Sequence, residues 1–579
     1  MLLSGAQIVI EVLKREGIKH IFGECGHSNL AFLNAIRPSG IKYISFRHEQ
    51  CAAHAADAYA RVTGKPGVVL THTGPGLMNA THGVASAAMD SVPLIVLSGD
   101  VQSYYFGKGP HQELKMHADA DQWSVYKPFV KRAWQIHDVK LLPSIVCRAI
   151  NIAISGRPGP VLISLPQDLA AKMVDVEIPD PSKWRPTGSN RIPGDEKEVE
   201  RAADLLVKAE RPMFFAGGGV LSSQASPELT ELAEYLGAPV ATTVQGKTAI
   251  REDHLLSIGN TGFWGSIAAN KVANQADVIL AVGTRFSEID CSFWDPKFTF
   301  AIPPAKLIHV DIDYEEIGRN YPVEVGIQGD AKAVLGQILR VVKRKAKPME
   351  WKNSRRFKEI RELLEQQAAE KAKKRDSNSK PIEIARLLKE VRALLPVDGI
   401  VVSDIGWSKS GVSQHLPLYT PRTYIAPGGL AGMGFGPPAA IGAKLGQPDK
   451  PVIAVVGDGA FSSTSSAVAT AVENGIKVIW LVLNNYGYCS VKVIQNEYFK
   501  EVFGTEHRIE KTGELYNPDF SKMAQAYGAI GERVEEPKEI RPALERAFKS
   551  DKPYVLDVVI SRELGVVQAG DWGLGLSEK

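Results

Sequence analysis

The chain has 579 residues, with 68 Lys+Arg against 65 Asp+Glu, a formal net charge of +3 and 44% apolar residues. That near-balance of charge removes the electrostatic case for binding nucleic acid or a membrane surface, and the composition excludes a disordered chain, collagen and a disulfide scaffold. At roughly 150 residues per domain the length suggests about four domains, and three also fit.

The first segment, MLLSGAQIVIEVLKREGIKH, is interrupted by Glu11, Lys14, Arg15 and Glu16 at helical spacing, and no small-residue cleavage site follows. It is predicted to be an amphipathic first helix rather than a targeting signal. No apolar run approaches the roughly 20 residues that span a bilayer. The five cysteines (Cys25, Cys51, Cys147, Cys291, Cys489) are scattered without a Cys-x-x-Cys and read as reduced thiols. The expectation is a soluble, cytoplasmic protein.

Short β-branched runs then alternate with Ala-rich helical stretches: 67–70, 93–97, 161–165, 212–215, 278–282, 307–310, 451–456 and 478–483. Each is apolar on both faces and ends in Gly, Asp, Asn or Thr, the pattern of buried parallel strands in an α/β protein. A Pro- and Asp-rich stretch at 176–196 reads as a linker. A charged, Ala-rich stretch at 345–380 reads as an exposed helix running into a Ser/Asn linker. Three doubly wound α/β domains are predicted, at 1–175, 196–345 and 380–560, followed by a tail at 561–579. There is also an internal echo. Lys65-Pro66, a strand and Thr73-Gly74-Pro75-Gly76 are matched by Lys450-Pro451, a strand and Gly457-Asp458-Gly459. This suggests a shared architecture for the first and third domains, although any sheet of this kind shows such turns.

The strongest chemical signal is VIAVVGDGAFSSTSSAVATAVENGIKVIWLVLNNYGY, 452–488. A buried strand ends in Gly457-Asp458-Gly459-Ala460, a helix of about twelve residues is expected next, and a second strand leads to Asn484-Asn485. Asp458 and Asn485 are separated by one helix-plus-strand return, which a right-handed crossover brings to the same edge of a parallel sheet. A carboxylate and an amide oxygen there suit Mg²⁺ bridged to phosphates. A lone Gly-Asp-Gly, by contrast, is only a strand-to-helix turn.

Together, the Gly-Asp-Gly, the spacing and the Asn-Asn resemble the signature of thiamine diphosphate (ThDP) enzymes. The resemblance implies Asp458 and Asn485 as metal ligands, with the Gly487 carbonyl as a third. It covers essentially the whole chain and is strongest with acetolactate synthases and neighbouring 2-oxoacid decarboxylases. Glu49, in RHEQCAAHAADAYAR, matches the family's activating glutamate, which hydrogen-bonds the aminopyrimidine and promotes proton loss from the thiazolium; alone, it would be a helix-start carboxylate. In 421–446 the segment GGLAGMGFG is similar to the one that holds ThDP bent, with Met433, after Gly432, as the apolar prop. In the centre, 212–219, 259–262, 283–286, 309–313 and 328–331 sit at strand ends where relatives hold FAD, ADP or a CoA nucleotide, and Asp311 or Asp313 could contact a ribose.

The pocket departs from the family pattern. His27 follows Gly26 where acetolactate synthases carry a second glycine, and His72 stands before Thr73 where many relatives have a small residue. Both match cyclic 1,2-dione hydrolases of the superfamily and could transfer protons; each could also be a histidine packed near the cleft. Gln112 matches a glutamine that reaches the cofactor, and His111 replaces an aromatic residue. The helix expected over 486–499 would cover the pocket mouth, and the Arg and Trp that favour a second 2-oxoacid are not clearly present. The resemblance implies a ThDP- and Mg²⁺-dependent lyase or carboligase acting on 2-oxo compounds, as a homodimer or homotetramer with shared sites. Three alternatives stand beside it: a ThDP-dependent hydrolase of a cyclic 1,2-dione, a flavin-dependent 2-oxoacid oxidase and a non-catalytic regulatory paralogue.

Overall fold

The computed structural model describes residues 1–115, 121–184, 191–563 and 568–570. The predicted linker at 176–196 and tail at 561–579 therefore lie partly outside the described residues. Three six-stranded sheets, every strand pair parallel, are flanked by helices. This is the α/β, doubly wound class that the apolar runs imply. Strands such as Gly67–Thr71, Leu94–Asp100 and Val161–Pro166 are buried along their whole length. Helices cover both faces, so no polar alternation survives in these strands.

In the N-terminal sheet the strands, taken in chain order, are His20–Gly23, Lys42–Ser45, Gly67–Thr71, Leu94–Asp100, Arg132–Gln135 and Val161–Pro166. They lie side by side in the order 2-1-3-4-6-5. The C-terminal sheet, Ile400–Ser403, Tyr424–Ile425, Val452–Gly457, Ile479–Asn484, Ile530–Val534 and Tyr554–Val559, has the same order. The central sheet, Pro212–Ala216, Val240–Thr242, Ser257–Asn260, Val278–Val282, Lys306–Asp311 and Val325–Gln328, has the dinucleotide-fold order 3-2-1-4-5-6. In every case the chain reverses its direction of winding beside the first strand, and ligands of open α/β sheets sit at that switch point.

Two predicted elements differ. Residues Leu2–Ser4 form a strand antiparallel to Met173–Asp175, and the first helix begins only at Gly5, capped by a reciprocal Ser4–Gln7 box. The expected twelve-residue helix after Asp458 is two helices, Asp458–Thr464 and Ala467–Asn474. The break falls in Ser462-Ser463-Thr464-Ser465-Ser466, whose hydroxyls compete for backbone groups; Ser462 and Ser463 bond the carbonyls of Asp458 and Ala460.

The N- and C-terminal units share one apolar core. Helix Glu49–Thr63, rich in alanine, lies against helix Gly436–Gly446 so closely that a side chain at Gly442 would collide with the Ala55 carbonyl. Arg61 cements the junction. It pairs with Asp57 (2.5 Å) and Asp90 (2.8 Å) and donates to the Ala426 carbonyl (3.1 Å) and to Gln245 of the central unit (3.2 Å). Asp90 also accepts the N–H groups of Gly428 and Gly429, both at 2.7 Å.

Candidate active site

At the switch point of the C-terminal sheet, strand Val452–Gly457 ends at a position facing open space, and Asp458 starts the next helix. Asp458 is 2% exposed. Its Oδ1 accepts the Gly459 N–H (2.8 Å); its Oδ2 accepts Asn517 Nδ2 (2.7 Å) and the N–H groups of Asn485 and Gly487 (3.2 Å each). Burial pushes this carboxyl above the usual range, while the bonds from Gly459 and Asn517 oppose the shift. Asn485 follows the neighbouring strand, where Leu483 is registered against Gly457, so the crossover brings Asn485 beside Asp458. Asn485 is 6% exposed, and among the described residues nothing hydrogen-bonds its side-chain amide. Ala460 is buried in the helix start, and Gly459 lies against the Tyr488 ring.

Residues with no local signature complete this edge. Asp404, after the first strand, accepts the N–H groups of Ile405 (3.0 Å), Gly434 (3.3 Å) and Gly436 (2.6 Å), and burial raises it to about 6. It thereby fixes the loop carrying Met433, which is 40% exposed, and Gly432, which packs on His82. Asn517 comes from a distant loop and is itself held by His507.

In the N-terminal sheet the switch point lies between the first strand, followed by Glu24–His27, and the third, followed by His72–Gly76. Gly26 is required here, since a Cβ would overlap the His72 ring. His27 and His72 meet edge to face with ring centroids 4.5 Å apart, and His111 stacks on the outer side of His27 at 6.2 Å. Burial, and then the neighbouring His72 and His111, lower the pKa of His27. His72 Nε2 is 2.6 Å from Gln112 Oε1, and its Nδ1 is 2.7 Å from Ser28 Oγ. Thr73 and Gly74 are tied to Gln122 Oε1 at 3.0 and 2.9 Å, and Pro75 starts helix Pro75–Met89.

Glu49 is the first residue of helix Glu49–Thr63, 5% exposed, with Asn79 Nδ2 donating to its Oε2 (3.1 Å). A Cβ at Gly76 would come within 2.8 Å of Glu49 Oε1, so only glycine lets the turn lie against that carboxyl. Glu24 is raised to about 6, by burial first and then by the charge of Glu49 and a hydrogen bond to it. Sequence reasoning missed Glu24, Ser28, Asn79 and Gln122. Their only signal is position in the two switch-point turns or in helices facing them.

In the central sheet the glycine turns after the first and fourth strands interlock, with the Gly219 N–H donating to the Gly283 carbonyl (3.0 Å). Asp313 is engaged by Arg157 (3.2 Å) and caps the Glu315 N–H. Asp311 is buried and raised to about 6 by that burial.

Residues 3–122 match the thiamine pyrophosphate enzyme N-terminal TPP binding domain, 199–338 the central domain and 404–558 the C-terminal TPP binding domain. The chain is 38% identical to a probable acetolactate synthase large subunit of Methanocaldococcus jannaschii, covering 96% of this chain and 92% of that one. It is 33% identical to the acetolactate synthase large subunit of Haemophilus influenzae (94% and 92% covered) and 32% identical to the isozyme 3 large subunit of Escherichia coli (100% and 98%). Among the described residues no helix is long and apolar enough to cross a membrane. The chain belongs to the thiamine pyrophosphate enzyme family, as an enzyme whose first and third units serve thiamine diphosphate.

Proposed function

We propose that the protein is a ThDP- and Mg²⁺-dependent carboligase of the acetolactate synthase kind, which decarboxylates one 2-oxoacid and joins the remaining fragment to the carbonyl of a second. The observation that carries this reading is the division of the site between two like sheets. A buried glutamate stands at one switch point, and a buried Asp–Asn pair stands at the other.

The residues fit the metal and the coenzyme. Asp458 Oδ1 holds a single N–H donor and so keeps a lone pair for a cation, and Asn485 presents an unengaged amide oxygen. With the Gly487 carbonyl these are hard oxygen donors, the set Mg²⁺ takes when it also binds phosphates. Gly457 leaves open space in front of the helix start. When bound, thiamine diphosphate supplies the electron sink for cleaving a C–C bond beside a carbonyl. Glu49, its Oε2 fixed by Asn79, holds and releases the proton exchanged with the aminopyrimidine nitrogen. Met433 supplies an apolar surface for bending the coenzyme, and His27 with Gln112 faces the substrate.

A second copy of the chain completes the site in this reading. Leu430 and Met433, on the loop that Asp404 fixes, and Tyr488, Val491, Phe499 and Phe503, on the segment after Asn485, are exposed apolar residues that a second copy could cover. A homodimer is the minimum, and a homotetramer is two of these. The central sheet is proposed to hold FAD or ADP across its glycine turns. Asp311 is its better ribose partner, because Asp313 is engaged by Arg157. The unpaired cysteines fit a cytoplasmic location.

Pyruvate supplied with ThDP and Mg²⁺, followed by product identification, tests the reading. Acetolactate and CO₂ are expected. Inertness towards pyruvate with hydrolysis of a cyclic 1,2-dione, or acetate formed with oxygen uptake, would contradict it. An absorption spectrum of the purified protein reports the flavin separately.

A further inference from the structure

The His72 ring is the best-defined polar group at the N-terminal switch point, and its hydrogen bonds fix where its proton lies. The backbone N–H of Ser28 points at Nδ1 (3.3 Å), and a backbone N–H can only donate. Nδ1 is therefore a lone pair. Ser28 Oγ already accepts the Thr73 N–H (2.9 Å), so its own hydrogen is free to point to Nδ1 at 2.7 Å. Both donors meet the same nitrogen, and the proton of the neutral ring must sit on Nε2. From there it is donated to Gln112 across 2.6 Å, so the Gln112 atom facing His72 is the amide oxygen. The Gln112 NH₂ group is thereby turned the other way. Among the described residues nothing accepts from it.

We infer that His72 is a positioning residue that, through a Ser28–His72–Gln112 relay, holds the Gln112 amide with its N–H donors facing the reacting carbonyl oxygen. The inference rests on the carboligase reading for its substrate, a 2-oxoacid, and on the hydrogen bonds alone for its geometry. A donor fixed before the substrate arrives stabilises developing negative charge on oxygen without reorganising. Without that hold the amide turns away from the reacting oxygen, and its donors are not in place when the charge develops. His72, with both nitrogens occupied, carries no proton to or from substrate, whereas His27 beside it is exposed to the cleft.

The test uses the full-length protein with ThDP, Mg²⁺ and pyruvate. H72L keeps the bulk and removes the Nε2–H; kcat is expected to fall about 10²-fold with KM changed far less. H72Q, whose amide N–H can donate to Gln112 Oε1, is expected to recover to within about fivefold of wild type, the worth of one imperfect hydrogen bond. Q112E keeps the acceptor for His72 but turns a carboxylate oxygen toward the developing charge, and should be at least as impaired as H72L. The double variant H72L/Q112E should be no worse than Q112E alone, because His72 acts only through the Gln112 amide. An H72Q enzyme as impaired as H72L would overturn the inference, since it would mean the imidazole itself carries the proton; near-normal H72L would overturn it as well. Neutron diffraction on the coenzyme-free protein supplies a readout independent of substrate. A deuteron on Nε2 and none on Nδ1 is expected, and a deuteron on Nδ1 would contradict the relay. If wild type leaves pyruvate untouched, the carboligase reading fails while the neutron result still decides the relay.

Discussion

The N-terminal and C-terminal sheets share one strand order and place their first- and third-strand turns at the same point, yet those turns are built for opposite tasks. In the N-terminal unit they carry Glu24, His27 and His72, with Glu49 close by: groups that hold or direct protons, with His72 and Glu49 buried and His27 open to the cleft. In the C-terminal unit they carry Asp404 and Asp458, carboxylates wrapped by backbone N–H groups, with Asn485 alongside. The difference teaches that the winding of the sheet chooses where a ligand goes, while a handful of turn residues choose what happens to it. The central sheet, wound in another order, has glycine turns joined by a backbone hydrogen bond.

The sharpest way to break the comparison is to remove one function from each side. E49Q should lower kcat by about 10³–10⁴-fold, the upper range for a lost acid–base group, with coenzyme affinity retained. D458N should instead lose affinity for ThDP and Mg²⁺, by about 10²-fold, before it loses turnover at saturation. Titration calorimetry and steady-state rates on the two variants separate these effects. If both variants fail in the same way, the division of labour is wrong.

The junction comes next. Among the described residues Arg61 is the one cation paired with both Asp57 and Asp90, and its other donors reach the Ala426 carbonyl and Gln245. R61M leaves the buried Asp57 and Asp90 without their shared counter-charge and should cost about 3–5 kcal/mol in denaturant unfolding. A loss below about 1 kcal/mol would mean the shared apolar core alone holds the two sheets together.

A smaller effect concerns pH. Burial raises Asp404 to about 6, above its ordinary value, so the folded protein binds this proton more tightly than the unfolded chain. The associated stability is fully present below about pH 4 and is lost as pH rises through about 6. The wild-type-minus-D404N difference in unfolding free energy should therefore fall by about 2 kcal/mol between about pH 4 and pH 7. A difference that stays flat or grows would contradict the shift.

Much of this organisation could be read from the chain alone, for a physical reason. Fully buried parallel strands such as Val278–Val282 must be apolar on both faces, and the turns after them must bend sharply, so Gly457-Asp458-Gly459 and Thr73-Gly74-Pro75-Gly76 stand out. The echo between them corresponds to equivalent third strands. The shortest strands were harder: Tyr424–Ile425, at a sheet edge, has two residues and Val240–Thr242 three, too short for any periodicity. Ser28, Gln122, Asp404 and Asn517 act across gaps of tens of residues, where no spacing rule reaches. The break in the helix after Asp458 was missed, because the Ser/Thr run reads as helix although its hydroxyls bond back onto the helix.

The most direct measurement is a crystal structure of the protein with ThDP and Mg²⁺. The account predicts a metal on Asp458, Asn485 and the Gly487 carbonyl, with the diphosphate beside it. The aminopyrimidine should lie against Glu49 of a neighbouring copy, so that one coenzyme joins the two like sheets. Coenzyme bound away from either carboxylate, or a metal held by other residues, would contradict it.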